Sequence, residues 1–375
     1  MDILIISRGV PTKQYPLNGI FEWDQAKALA SIGHDVTFFA VDLRSLRRKR
    51  RFGIYKEIRE NIHIYTIALP VGALPMRLFC KIGNKALSIL YKKVYATIKK
   101  PDIIHAHFTD MGCIAADLAK TEKIPLVITE HSTAIGSEKT NSEVIKCAKY
   151  GYLTAERVIA VSRNLANRIN FLTGVSCTVI HNIINPYDVF LDKKDEPHPG
   201  FTYISVSNLI KRKRIDLLIH AFKLVSEKNK NVYLIIVGDG PERIFLEKQA
   251  EALAINNRIF FTGRLEREKI AAEFDKADCF VLPSDLETFG VVYVEAMMKG
   301  LPVIATKCGG PEEFVKDEVG IIVGKNDQEA LARAMLNIYN QYDLYHPNEI
   351  RKYAIENFSP RVIANQITEL YKTVL

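Results

Sequence analysis

The 375-residue sequence has one tryptophan, six cysteines and no apolar stretch near the ~18 residues that a membrane-spanning helix needs. Its opening run, Ile3-Leu4-Ile5-Ile6, is too short for the apolar core of a secretion signal and passes straight into polar turn residues, so no leader is expected. The cysteines (Cys80, Cys113, Cys147, Cys177, Cys279, Cys308) are scattered, with no Cys-x-x-Cys pair and no histidine at zinc-ligand spacing. They read as small buried hydrophobes in a reducing compartment, which points to the cytoplasm. A dinucleotide fingerprint is missing too. After the first strand comes Ser7-Arg8-Gly9-Val10-Pro11, with proline where the tight turn belongs, and Gly238-Asp239-Gly240 supplies only part of the pattern before Pro241-Glu242. Hydride transfer on a nicotinamide nucleotide is therefore disfavoured. Low-complexity tracts and repeats of 20–50 residues are also absent.

What remains is globular composition, 48% hydrophobic and 25% charged, in a chain long enough for two domains. The net charge of +8 is uneven: residues 1–180 hold 26 Lys/Arg against 15 Asp/Glu, and the rest hold 25 against 28. Six basic residues crowd Arg44–Arg51, namely Arg44, Arg47, Arg48, Lys49, Arg50 and Arg51. Such a run is either a solvated loop or a contact for an anionic membrane face or phosphorylated acceptor, at about 1 kcal/mol per basic residue. No nucleic-acid module accompanies it, so no nucleic-acid partner is expected.

Short apolar runs alternate with amphipathic stretches, the pattern of β-α units on parallel sheets. The first series of strands is expected at 3–6, 35–40, 62–67, 102–106, 126–129, 158–161 and 178–180, with a helix over 21–32 capped by Gly33. Residues 184–200 have linker composition, with three prolines and a charge cluster. A second series follows at 202–206, 232–237, 259–262, 279–282, 303–305 and 320–323, and a helix from Pro360 closes the chain. The expected domains are 1–183, 201–357, and a closing segment 358–375 that packs back on the first. The fold class is α/β, two doubly wound Rossmann-like domains facing across a cleft, with ligands at the carboxyl ends of the strands.

The strongest local signal is Ser284-Asp285-Leu286-Glu287-Thr288-Phe289-Gly290-Val291-Val292-Tyr293-Val294-Glu295-Ala296, which leaves an apolar strand at Pro283 and enters a helix. Gly290 lets the backbone approach a ligand, and a helix starting near Phe289–Gly290 offers unpaired N–H groups to a phosphate. Taken alone, two glutamates eight residues apart read as a solvated pair.

Their context resembles the retaining GT-B glycosyltransferases of family 4. LPS precedes the Glu-x7-Glu pair and AMMKGLPVIATKCGGPEEFV follows it; PLNGIFEWDQAKALASIGHDV, PDIIHAHF, IPLVITEHS, AERVIAVSRNLANRI, CTVIHNIIN, SNLIKRKRIDLLIHAF and LIIVGDGPER resemble the family's other motifs in order. The resemblance spans nearly the whole chain, implies transfer of a sugar from a nucleotide diphosphate to an acceptor and favours bacterial surface polysaccharide synthesis; the basic N-terminal half suggests that the acceptor is a saccharide or a polyprenyl-diphosphate-linked saccharide. The resemblance implies that Glu295 contacts the donor ribose, Glu287 the hydroxyls of the transferred sugar, and Lys213 the diphosphate. It also implies that backbone amides around Phe289 and Gly290 lie against the phosphates or the sugar, and that the amide of Gly19 in the first loop faces the diphosphate and acceptor. His131, in Thr129-Glu130-His131-Ser132, is the implied active-site histidine. His105 and His107 are expected on opposite sides of their strand, as packing groups.

The family usually has Gly-Arg-Leu before the lysine, and its arginine assists on the diphosphate. Here Ser207-Asn208-Leu209 stands there; Asn208 donates hydrogen bonds without charge, so either Arg212 or Arg214 substitutes or the phosphate site is weaker. No two aspartates lie two residues apart, so the Asp-x-Asp metal motif of GT-A enzymes is absent. Lys213 and backbone amides are therefore expected to stabilise the leaving group with no metal or other cofactor. The basic half suggests peripheral attachment to anionic membrane through Arg47, Arg48, Lys49, Arg50 and Arg51. The rival readings are a sugar phosphorylase, a sugar-nucleotide epimerase or a non-catalytic partner subunit.

Overall fold

The computed structural model describes residues 1–96, 98–137, 139–184 and 200–375. Contacts divide the chain into two compact units, Met1–Ile183 with Pro360–Leu375, and Ile184–Ser359. Most of the expected linker lies outside the described residues.

Unit 1 opens with β1 (Asp2–Ser7), α1 (Ile20–Ser31) and β2 (Asp35–Asp42), then β3 (Gly53–Arg59), β4 (Ile62–Ala68) and α2 (Met76–Tyr95). It continues through β5 (Ile103–His107), α3 (Phe108–Glu122), β6 (Leu126–Glu130), α4 (Thr133–Gly136) and α5 (Ser142–Thr154), and ends in β7 (Arg157–Ala160), α6 (Arg163–Thr173) and β8 (Thr178–Val179). The sheet order is β3-β4-β2-β1-β5-β6-β7-β8. Every pairing is parallel except β3 with β4. That edge strand is missing from the sequence reading. Glu60 and Asn61, at φ 49° and 63°, form the two-residue turn between the partners Arg59 and Ile62. Positive φ at both central residues marks a hairpin turn whose twist matches paired strands. The cue was Asn61 inside an alternating stretch.

Unit 2 comprises β9 (Phe201–Val206), α7 (Ile215–Lys228), β10 (Val232–Val237), α8 (Arg243–Ala252), β11 (Ile259–Gly263) and α9 (Arg267–Phe274). After these come β12 (Cys279–Leu282), α10 (Val291–Met298), β13 (Val303–Thr306), β14 (Gly320–Val323), α11 (Gln328–Asn340) and α12 (Pro347–Phe358). Its parallel sheet runs β11-β10-β9-β12-β13-β14. Renumbered within the unit this is 3-2-1-4-5-6, the Rossmann order.

The closing helix α13 (Pro360–Lys372) belongs to unit 1 and begins two residues past the expected boundary. Ile363, Ala364, Ile367, Leu370 and Tyr371 repeat at helical spacing and join a core with α1 and one face of the sheet. Burying each of the larger side chains contributes ~1.5–3 kcal/mol, so the helix is held as part of that core. The same face carries Ile3 and Ile5 of β1 and Ile103 of β5, with His105 next in register.

Candidate functional site

In each unit the strand order reverses about the first strand, which opens a crevice at neighbouring carboxyl ends. In unit 1 these are the ends of β1 and β5. Ser7-Arg8-Gly9 follows β1, Phe108 follows β5, and His131 follows the adjacent β6. Three histidine rings form a stack: His105 to His107 at 4.7 Å between centroids, and His107 to His131 at 5.3 Å. Phe21 of α1 also stacks on His131, at 5.3 Å.

Hydrogen bonds decide the tautomers. Asn182 Oδ1 can only accept, so His131 Nδ1 carries the proton across the 2.8 Å contact. His131 Nε2 then accepts from His107 Nδ1 at 3.1 Å. The remaining His107 Nε2 is buried without a partner. His105 Nδ1 faces the Gln25 amide nitrogen (2.9 Å), which can only donate, and lies 2.5 Å from the Tyr371 hydroxyl, so Nδ1 is the acceptor and Nε2 donates to Thr129 Oγ1 at 2.7 Å. Burial disfavours the cationic form and lowers His105 and His131 to about 3; His107 is also held well below its ordinary value. All three rings are neutral at physiological pH.

Beneath them, Glu130 accepts four hydrogen bonds. Its Oε1 takes the backbone N–H of His131 (2.9 Å) and Ser132 (2.6 Å), and its Oε2 takes the hydroxyls of Thr109 and Tyr152, both at 2.5 Å. Burial nevertheless raises its pKa. The carboxyl thereby pins the backbone that presents His131. Arg8 lies at the exposed rim with its guanidinium 3.5 Å from the Phe108 ring centroid, a cation–π contact. Phe108 itself has φ 67°, a left-handed conformation that costs a bulky residue on the order of 1–3 kcal/mol. Burial also raises the carboxyls of Glu22 and Asp110, with the Arg8 charge opposing it in both.

In unit 2 the reversal falls between β9 and β12. Lys213 closes a short 3₁₀ turn after β9, and its Nζ lies 2.5 Å from Glu287 Oε1. Ser284 Oγ donates to the same oxygen at 2.7 Å. The Glu287 backbone is sewn to the loop after β13: its N–H donates to Cys308 O (3.1 Å) and its carbonyl accepts from Gly310 (3.0 Å). Gly290, at φ 97°, turns the chain into α10; a Cβ there would meet the Tyr293 ring at 2.7 Å, so only glycine fits. One and a half turns on, Glu295 accepts from Arg267 at 3.3 Å. The site is thus a pair of internally neutralised charges at a helix N-terminus.

Residues 187–357 match the family described as glycosyl transferases group 1, and residues 23–188 match Glycosyltransferase Family 4. The chain is a glycosyltransferase of the group 1, family 4 type. It is 29% identical over 292 residues to N-acetyl-alpha-D-glucosaminyl L-malate synthase of Bacillus anthracis, covering 73% of this chain and 75% of that protein. It is 26% identical over 373 residues to the putative teichuronic acid biosynthesis glycosyltransferase TuaC of Bacillus subtilis, covering 92% and 91%. The fold matches that of Anabaena HepE, solved in complex with UDP, with a TM-score of 0.74 over the whole of both chains at 22% identity.

Within this glycosyltransferase, Lys213, Glu287 and Gly290 gather at one strand end, Phe289 is buried on Phe314 and Phe358, and Asn208 lies exposed on the loop after β9. Of the two candidate replacements for the family arginine, Arg214 is already paired with Asp216 (3.2 Å) and Asp285 (3.4 Å). Gly19 begins α1 at φ 73°, where a Cβ would meet the Gly9 carbonyl at 2.1 Å. Two expectations are overturned. His105 and His107 do not lie on opposite sides of β5; residues two apart share a face, and their rings stack. Arg50 is not an available contact for membrane or acceptor. It lies 2.9 Å from Asp42, with a side chain only 7% exposed, and donates to the carbonyls of Arg44, Ser45, Arg48 and Leu69. Arg47, Arg48, Lys49 and Arg51 are exposed. Arg8, Glu130 and Asn182 were not singled out from sequence, because only the folded crevice joins three separate strand ends.

Proposed function

We propose that unit 2 holds a nucleoside-diphosphate sugar and unit 1 a saccharide or lipid-linked saccharide acceptor, and that the sugar is transferred with retention and without a metal ion. The Lys213–Glu287 pair carries this reading. Two charges with side chains only 14% and 10% exposed pair with each other, and Ser284 donates to the same Glu287 oxygen. An arriving diphosphate supplies Lys213 with a stronger anionic partner, and releases the Glu287 carboxylate to accept from sugar hydroxyls. Lys213 and the N–H groups opening α10 then oppose the charge that builds on the leaving phosphate. Glu295, a turn and a half along the helix, takes the ribose. His131 is held neutral and oriented, which suits hydrogen bonding to the substrate rather than proton transfer near neutral pH.

UDP is the first donor nucleotide to test, because HepE was solved with it. The membrane face of the proposal rests on Arg47, Arg48, Lys49 and Arg51, with Leu46 69% and Phe52 42% exposed beside them. Neutralising the four cations is expected to release the protein from anionic vesicles.

The deciding experiment is thermal-shift and calorimetric binding of UDP, GDP, ADP and their sugar conjugates, on wild type and Glu295→Ala, with the product anomer read by NMR. Selective stabilisation by one nucleotide, lost in the variant, together with an unchanged initial rate in excess chelator, is the expected outcome. Turnover with inorganic phosphate and no nucleotide would replace the reading with a phosphorylase.

A further inference from the structure

Cysteines that are 33 and 34 residues apart in the chain meet in unit 1. Cys80 lies on α2, Cys113 on α3 and Cys147 on α5, and their three sulfur atoms fall within 4.8 Å of one another. Cys80 Sγ and Cys147 Sγ are 3.3 Å apart. Three thiolates around one zinc ion, with Zn–S near 2.3 Å, stand ~3.8–4.0 Å from each other, so only small side-chain adjustments separate this cluster from a ligand set.

The surroundings fit a cation. The sulfurs border a pocket of ≈ 680 Å³, which gives an entry path and room for a solvent molecule as fourth ligand. Arg77, Lys81 and Lys146 line the same pocket. A dication with three thiolates carries one net negative charge, which those three cations compensate even with Glu143 on the same wall. Asp117 at the wall is occupied by Asn84 and Tyr150. Cys147 is also placed 3.9 Å from the Thr109 carbonyl.

We propose that Cys80, Cys113 and Cys147 form a binding site for a soft divalent cation, zinc in the first instance, that clips α2, α3 and α5 together. Soft thiolates select zinc and its congeners over magnesium or calcium. Binding forms three metal–sulfur bonds and passes the displaced thiol protons to buffer, so it strengthens as pH rises. The site uses none of the residues given roles in sugar transfer.

The test is a titration of the full-length, reduced, chelator-treated protein with Cd²⁺ as a spectroscopic probe and then with Zn²⁺. A thiolate-to-cadmium absorption saturating at one equivalent is expected, with three thiols protected from a thiol reagent and protons released. Cys113→Ser, at a half-buried position, should weaken binding at least ten-fold, while Cys177→Ser should leave it unchanged. Because a variant can misfold, thiol protection in the wild-type protein is read independently. The proposal is overturned if no such absorption appears, if Cys113→Ser binds like wild type, or if mild oxidation removes two thiols as a disulfide in a protein that takes up no cation.

Discussion

The two units share a doubly wound design and place their candidate residues at equivalent points of it, yet they build with opposite materials. Unit 1 centres on neutral rings, with the Arg8 charge at the rim. Its three histidines are desolvated, deprotonated and locked by Asn182, Gln25, Thr129 and Tyr371. Unit 2 uses charges: Lys213 with Glu287 and Arg267 with Glu295, each pair partly shielded from water. Neutral donors and acceptors in a dry crevice are oriented once, on folding. Paired charges can be exchanged for those of a ligand, at a cost that depends on what replaces them. A uniform sugar hydroxyl suits the first kind of site, and a diphosphate suits the second.

The sharpest way to break this contrast is to remove one member of the charged pair. Lys213→Met is expected to lower kcat/KM by ~10²–10³-fold and to abolish nucleotide-induced thermal stabilisation, because a preorganised charge opposing the leaving group is lost. Equal nucleotide binding by variant and wild type in calorimetry would remove Lys213 from the donor site. Next in size is His131→Ala, with an expected loss of ~10²-fold in rate. Nucleotide affinity should change little, since the proposal puts the donor base and phosphates in unit 2. A titrating step near pH 6.5 in the rate that is attributable to His131 would contradict its neutrality.

Acid should separate the units. With folded values near 3 and an ordinary value near 6.5, His105 and His131 bind protons in the unfolded chain before the folded one. Stability is therefore lost as pH falls from about 6.5 towards 3, at roughly 1.4 kcal/mol per pH unit for each histidine. Glu22, Asp110 and Glu130 have raised values and act oppositely: their contribution is present below the ordinary carboxyl range and lost as pH rises through the folded value. Hydrogen exchange should accordingly show β5, β6 and α13 opening before the strands of unit 2 on acidification, less so in His105→Gln. The smallest effect contrasts two arginines of the basic run. Arg50→Ala should destabilise unit 1 by ~1–3 kcal/mol, because it leaves four carbonyls short of a donor and takes one of two cations away from the buried Asp42 carboxylate. Arg47→Ala, at an exposed site, should leave the melting temperature within error.

Much of this was legible in the order of residues. Strand runs such as Val232–Val237 are apolar throughout because both faces are covered, and they appear at nearly the expected bounds. The Glu-x7-Glu segment and Gly19 were recognisable from their resemblance to the family's motifs, since alone they read as a solvated pair and an ordinary turn; that a Cβ at Gly19 or Gly290 would clash is shown by the fold. The β3 edge was missed because alternation on a one-sided strand gives a weak signal, and its turn rests on Glu60 and Asn61 rather than glycine.

The local sequence by itself determined the β-α alternation, the two series of strands and the loops that carry Lys213, Glu287 and His131. These depend on periodicity and turn chemistry, which act over a few residues. Which charge pairs with which, which histidine nitrogen bears a proton, that Arg50 is interior while Arg47 is exposed, and that Cys80, Cys113 and Cys147 converge were decided only by tertiary structure. Those outcomes follow from burial and from distances between elements far apart in the chain, and neither quantity exists until the sheet and its helices have packed.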